Sequence, residues 1–209
     1  MMTTWLTKIT LVAGDRAVQR LLDDAGALHN ALMRLVPDGL GDHPRAQTGL
    51  LYRVEQHTRT PQILAQTTVE PDISRLDKRL ADQVAVRDLT GFLTGLRNGN
   101  RVRYRITANP TKRHGRSAND GKAGKLYVVS GALAERWWTD RAAEGGLDVR
   151  SVEYRKLPEI RVRAKGSHAA AQFDGGAVIT DADHVRAMIT DGLGRAKSYG
   201  CGLLSLGPA

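Results

Sequence analysis

Eight residues near the middle of the chain, Arg101-Val-Arg-Tyr-Arg-Ile-Thr-Ala108, alternate without a break. Val102, Tyr104 and Ile106 fall on one side, Arg101, Arg103 and Arg105 on the other. Successive side chains of a β-strand point to opposite faces, so this stretch predicts a strand with one apolar face and one cationic face. That cationic face is distinctive.

The flanking patterns supply the other elements. Residues 5–12 read as a strand rich in Thr, Ile and Val. Asp15 and Asp23/Asp24 precede a helical pattern with apolar Leu21, Leu28, Leu32 and Leu35, which Pro37 and Gly39 end. Residues 49–56 and 62–69 form a hairpin across a polar turn at 56–61. The stretch 74–96 is ambiguous: Leu76, Leu80, Val84 and Leu89 suit a helix, whereas Val84-Ala-Val suits a short strand. Residues 95–100 read as the turn between two domains. After the arginine strand come a long loop at 109–124, a strand at 125–129, and a helix capped by Ser130 that runs to Glu144. Strands at 147–156 and 160–165 are joined at Leu157-Pro-Glu. A further strand at 170–180, a helix from Asp181 to Thr190 and a closing strand follow. This order predicts an α+β protein of two tandem ferredoxin-like (RRM-like) βαββαβ domains, residues 1–96 and 97–209.

Charge separates the two halves. Residues 1–96 hold 11 Lys/Arg and 11 Asp/Glu; residues 97–209 hold 20 and 11, the whole of the net +9. From Arg97 to Lys125 nine cations face one anion, Asp120. Such asymmetry points to a polyanion, with nucleic acid the commonest. The cations lie among Gly, Asn, Pro and strand-like residues, which speaks against an amphipathic membrane helix. One cysteine, Cys201, excludes an internal disulfide and a Cys-based zinc cluster. No stretch of residues 1–14 reads as a signal peptide, and no run approaches a membrane span. A cytoplasmic protein is expected.

Chemistry concentrates in few places. His29 sits at the edge of the first helix's apolar stripe, about 100° round from Leu28, in line with Ala25 and Met33. Imidazole titrates near neutrality and suits proton transfer, although a boundary histidine hydrogen-bonded to a neighbour has the same pattern. The other histidines, His43, His57, His114, His168 and His184, fall in turns or at helix starts without metal-ligand spacing, so neither a metal nor any other cofactor is expected. Nucleotide-binding glycine motifs are absent. Basic groups cluster in the arginine strand, at Lys112 and Arg113, and in the segment 154–165 with Arg155, Lys156, Arg161, Arg163 and Lys165. The last three alternate on one face of a predicted β-ribbon that can follow phosphates. Aromatics are too few for an RNP-type stacking sheet, so helical RNA is the better expected target. Finally, Gly192, Gly194, Arg195 and Lys197 open a glycine-rich tail. It reads either as a helix cap followed by a bulged strand or as a backbone nest for phosphate.

Together these residues resemble the CasE family, the repeat-RNA-processing endoribonuclease subunit of type I-E CRISPR Cascade complexes. The resemblance covers nearly the whole chain. It is carried by Leu28-His-Asn-Ala-Leu-Met-Arg34, Leu51-Tyr-Arg-Val-Glu55, Ala108-Asn-Pro-Thr-Lys-Arg113 and Gly192-Leu-Gly-Arg-Ala-Lys-Ser-Tyr-Gly-Cys-Gly-Leu-Leu-Ser205. It implies two ferredoxin-like domains and binding of the CRISPR repeat hairpin. It also implies metal-independent cleavage at the 3′ base of the stem by attack of the substrate's own 2′-OH, and retention on the mature guide RNA with other Cascade subunits. His29 matches the family's catalytic histidine. Members often carry a tyrosine three residues earlier, where this chain has Gly26. That departure motivates the competing expectation, a subunit that binds the hairpin without cutting it.

Overall fold

The computed structural model describes residues 3–56, 60–115, 122–163 and 165–209. Part of the expected 56–61 turn, with His57, and the centre of the expected 109–124 loop lie outside the described residues.

Strand β1 (Trp5–Leu11) buries Thr7, Ile9 and Leu11 and exposes Lys8. The helical pattern that follows is interrupted. Asp15 accepts from the Ala17 and Val18 amides and caps α1 (Arg16–Leu22). Asp24 adopts an extended backbone, φ −133°, and accepts from the Gly26 amide at 3.0 Å to cap a second helix, α2 (Ala25–Leu32). A side chain that satisfies an orphan amide favours starting a new helix over continuing the old one. A 3-10 turn at Met33–Leu35 and the short helix α3 (Pro44–Gln47) lead to β2 (Leu51–Glu55) and β3 (Gln62–Thr67). These two form the expected antiparallel hairpin. The ambiguous stretch resolves as β4 (Ala81–Asp88), paired antiparallel with β1, and α4 (Thr90–Gly95) begins only after it. A free edge of β1 offers Val84 a ladder position opposite Ile9, and sheet context overrides the helical spacing. The first sheet runs β2-β3-β1-β4.

Strand β5 (Arg101–Ala108) buries Val102, Tyr104 and Ile106 and exposes its three arginines, as the alternation predicts. The stretch expected as a loop contains β6 (Thr111–Arg113), which pairs with β7 (Leu126–Val128). Helix α5 (Ala132–Glu144) starts at Gly131 with no side-chain cap, so Ser130 does not have the capping role expected of it. Gly131 takes φ 56°, a conformation open to glycine and strained for serine.

Strands β8 (Leu147–Val149), β9 (Glu153–Val162) and β10 (Gly166–Ile179) follow. The expected break at Leu157-Pro-Glu is a bulge inside β9. Leu157 opposes Ala170 and Ile160 opposes His168, which leaves two residues, Pro158 and Glu159, across from Ala169. Proline has no amide to donate, and a bulge on a strand paired along one edge tolerates it. The basic hairpin is therefore β9 with β10, and Arg163 and Lys165 lie in its turn rather than on an alternating face. Helix α6 (Ala182–Asp191) is capped by Asp181, as expected, and β11 (Leu204–Pro208) closes the chain. The second sheet runs β11-β5-β10-β8, with β9 also on β10.

Two cores result. One joins Ile9, Leu28, Leu32, Leu35, Tyr52 and Ile63. The other is built on Tyr104, Trp138, Phe173 and Val185, with Trp138 and Phe173 stacked at 5.9 Å. Full burial of each such side chain contributes about 1.5–3 kcal/mol.

Polar contacts bind one half to the other. Arg53, 3% exposed, pairs with Glu55 at 2.7 Å and donates to the carbonyls of Arg105 and Leu203 at 3.3 and 3.2 Å. Gln66 donates to the Ile189 carbonyl at 2.7 Å. Among the described residues no helix is long and apolar enough to cross a membrane.

Candidate nucleic-acid site

His29 occupies the last turn of α2, half-buried. Its Nδ1 is fully covered and has no hydrogen-bond partner among the described residues, so Nε2 is the nitrogen left to meet a substrate. Burial first, and the Arg45 charge second, hold its pKa below the ordinary 6.5. At neutral pH the ring is uncharged and ready to accept a proton.

The second half of the chain packs around this helix. The 3-10 turn Lys197–Tyr199 lies against α2 and β2. Lys197 donates to the Asp191 carbonyl at 2.8 Å, and burial and Arg45 both lower its pKa. Arg45, on α3, is held by the Leu50 carbonyl at 3.2 Å. Arg45 thus faces both His29 and Lys197. Its charge raises the cost of charging each of them, and a phosphate placed among the three relieves it. Tyr199 stacks on His168 with ring centres 5.2 Å apart. Tyr52 lies beneath, buried, and donates its hydroxyl to the Ala25 carbonyl in the first turn of α2.

The tip of the β9–β10 hairpin reaches the same helix. The Arg163 amide donates to Asp24 at 3.3 Å, the largest of the influences that lower the Asp24 pKa. A Cβ on Gly26 would lie 3.4 Å from Val162. Gly26 and His29 are three residues apart and share a helix face. The volume a side chain at 26 would enter is therefore bordered by Val162, at ordinary van der Waals distance, and by the Asp24 carboxylate, 3.3 Å from the position of a Cβ.

The tail has two roles. Gly202 takes φ 90°, and a Cβ there would meet the Leu193 carbonyl oxygen at 2.7 Å. A Cβ on Gly192 would press 2.6 Å from Leu51. The Leu193 amide donates to the Gly202 carbonyl at 3.0 Å and closes the loop that presents Lys197–Tyr199. Gly194 and Arg195, in contrast, are exposed.

The remaining sequence-predicted residues divide among three places. Arg161, Arg163 and Lys165 are exposed at the hairpin tip beside α2. Arg101, Arg103, Arg105 and Arg155 share the outer face of the second sheet, because Arg105 opposes Asp174 on β10 and Arg155 opposes Gln172 two residues away; Lys156 points to the other face. The Arg105 guanidinium is bound by Asp174 and Glu55. Lys112, Arg113, Gly192, Gly194 and Arg195 border a cavity between β6, α5 and the tail.

Sequence reasoning missed Arg45, Tyr199 and the position of His168, which lies within β10 rather than in a turn. Arg45 follows a proline in an irregular stretch with no periodicity to mark it. Tyr199 lies in the glycine-rich tail, where no periodicity marks it. Among the described residues no group of three or more His, Cys, Asp and Glu side chains is arranged to hold a metal ion.

The sequence matches the family described as "CRISPR associated protein" over residues 4–208. The CRISPR-associated endoribonuclease Cse3 of Thermus thermophilus is 31% identical, over 98% of this chain and all of that protein. A structure of Thermus thermophilus Cse3 bound to an RNA representing a pre-cleavage complex superposes with a TM-score of 0.82 at 30% identity, covering 99% of this chain and 100% of that one. A chain of a CRISPR RNA-guided surveillance complex in a pre-nicking state is 40% identical with a TM-score of 0.71, covering 98% and 100%.

Proposed function

Because the chain belongs to the Cse3/CasE family of CRISPR-associated endoribonucleases, we propose that it binds the repeat stem-loop of precursor CRISPR RNA and cuts at the 3′ base of the stem, with His29 as the catalytic base. The observation that carries this reading is the half-buried, neutral His29 beside a cationic cluster supplied by both halves of the chain. The 2′-OH attacks the adjacent phosphorus as His29 Nε2 takes its proton. The O2′–P bond forms, the P–O5′ bond breaks, and the products end in a 2′,3′-cyclic phosphate and a 5′-OH. Arg45 and Lys197 offset the charge of the phosphorane. Lys197, a stronger acid than an exposed lysine, is suited to hand a proton to the leaving 5′-oxygen, the second transfer that Gly26 leaves without a tyrosine.

The hairpin-tip cations Arg161, Arg163 and Lys165 lie along the stem phosphates next to the cut, and Arg101, Arg103 and Arg155 extend the basic surface. After cleavage the stem stays bound, and the protein takes its place beside the other subunits of a guide-RNA complex. Two tandem ferredoxin-like domains support this assembly. Both sheets have the same pattern, β4-β1-β3-β2 and β11-β5-β10-β8, and each has its own core. Leu93 and Leu96 pack in the second core, so α4 belongs with the second domain and the junction falls near residues 88–89.

A repeat hairpin incubated with the protein in EDTA tests the mechanism. Cleavage giving cyclic-phosphate ends is expected, with a loss of about 10²–10⁴-fold in His29→Ala. Tight binding without cleavage would instead make this member a guide-RNA cap.

A further inference from the structure

The cavity between β6, α5 and the tail has a volume of about 820 Å³, within the roughly 300–1,000 Å³ of small-ligand sites. Its composition is divided. Lys112, Arg113 and Arg195 border it on the β6 and tail sides, and Asp140, Arg141 and Glu144 on α5. Glu144 is paired with Arg141 at 2.8 Å, whereas Asp140 has no cation paired with it among the described residues. Trp137, 4% exposed, also lines the cavity, and its indole N–H has no acceptor among the described residues. Gly194 lies over this indole, the position of its missing Cβ 3.8 Å from the ring.

A double helix cannot place a base in such a recess; an unstacked nucleotide can. Phosphate matches the cationic side. A carboxylate that accepts only, facing it, matches the amino or imino edge of a base. The place in the fold ties the cavity to the cleavage site. Arg195, on its rim, precedes Lys197, packed against the His29 helix, by two residues, at most about 7 Å of extended chain. A strand whose scissile phosphate lies at Lys197 passes the cavity within a nucleotide or two.

Resting on the endoribonuclease reading above, we infer that this cavity is a subsite for a single unpaired nucleotide flanking the repeat stem, with its phosphate at Lys112, Arg113 and Arg195 and its base read by Asp140. The paired stem and the cut itself lie at α2 and the hairpin tip. The cavity adds recognition of the single strand beside them.

The test measures binding of the full chain to hairpin RNAs made uncleavable by a 2′-deoxy nucleotide at the scissile position. One RNA ends at the stem, one carries an upstream unpaired nucleotide, one a downstream nucleotide, and a fourth and fifth carry these same flanks without the base. One of the two natural flanks is expected to tighten binding about tenfold, and which one identifies the strand. The abasic flank and Asp140→Ala should each remove most of that gain, and combining them should remove no more. Asp140→Asn, which adds a donor, should change which base is preferred. Asp140 is exposed on α5, so these variants fold. If neither flank tightens binding, or the gain survives Asp140→Ala, the subsite is refuted. Failure to bind even the bare hairpin would overturn the endoribonuclease reading instead.

Discussion

In the proposed mechanism His29 must be uncharged before it acts as the base, and burial of its ring and then the Arg45 charge keep it so. In the free protein its pKa lies below 6.5, so kcat/KM should rise with pH and level off with an inflection below that value. A bound phosphate favours the imidazolium, so the inflection in kcat should lie higher than that in kcat/KM. Removing one repelling charge should act in the same direction in the free enzyme: Arg45→Ala is expected to raise the kcat/KM inflection while lowering kcat. An unmoved inflection in that variant would separate Arg45 from the base. The same shift makes a stability prediction. The folded pKa is depressed, so the contribution is complete above the unfolded value of 6.5 and is lost as pH falls through the folded pKa. His29→Gln should flatten that acid limb in a denaturant titration.

At the scale of elements, the tail loop is a device for holding Lys197–Tyr199 on α2, and Gly202 is where it closes. Alanine there meets both an unfavourable φ of 90° and the Leu193 carbonyl oxygen at 2.7 Å. Gly202→Ala should cost about 2–3 kcal/mol in urea unfolding. Gly194→Ala keeps the φ penalty but meets only Trp137 at 3.8 Å, and should cost about 1 kcal/mol. Much of this loop was visible as a glycine pattern, but its purpose was not, because the surfaces that demand glycine, Leu51 and Leu193, are contacts made in three dimensions. Elements with strict periodicity were legible: β5 by its alternating arginines, α6 by Asp181 at its cap, the β2–β3 hairpin by its polar turn. Those decided by a neighbour were not. Residues 74–96 carry both helical spacing, at Leu76, Leu80, Val84 and Leu89, and the strand-like Val84-Ala-Val, and the free edge of β1 decides for a strand at 81–88. Pro158 looks like a chain break and sits in a bulge because β10 continues past it.

Across the whole molecule, the cluster proposed to cut RNA exists only while the halves stay in register, since His29 and Arg45 come from one and Lys197, Tyr199 and the hairpin tip from the other. No periodicity within either half signals this dependence. Arg53 is the residue on which it turns, and its sequence setting, Tyr-Arg-Val-Glu, reads as an ordinary strand. Its guanidinium reaches from β2 to the carbonyls of Arg105 and Leu203 while Glu55 holds it, and Glu55 in turn contacts Arg105 at 3.3 Å. Truncating the buried arginine takes one cation from Glu55 and the Arg53 donor from the carbonyls of Arg105 and Leu203, a loss of about 3–5 kcal/mol. Each half retains a core of its own, so the damage falls on their union. Arg53→Ala should therefore convert a single thermal transition into two resolved by calorimetry. At a temperature where both halves remain folded, cleavage should fall by more than binding of the hairpin, because the basic hairpin and β5 stay intact while Lys197 loses its position against α2. A single transition merely lowered in temperature, with cleavage and binding reduced alike, would show that the halves fold as one body and that Arg53 adds stability without setting their register.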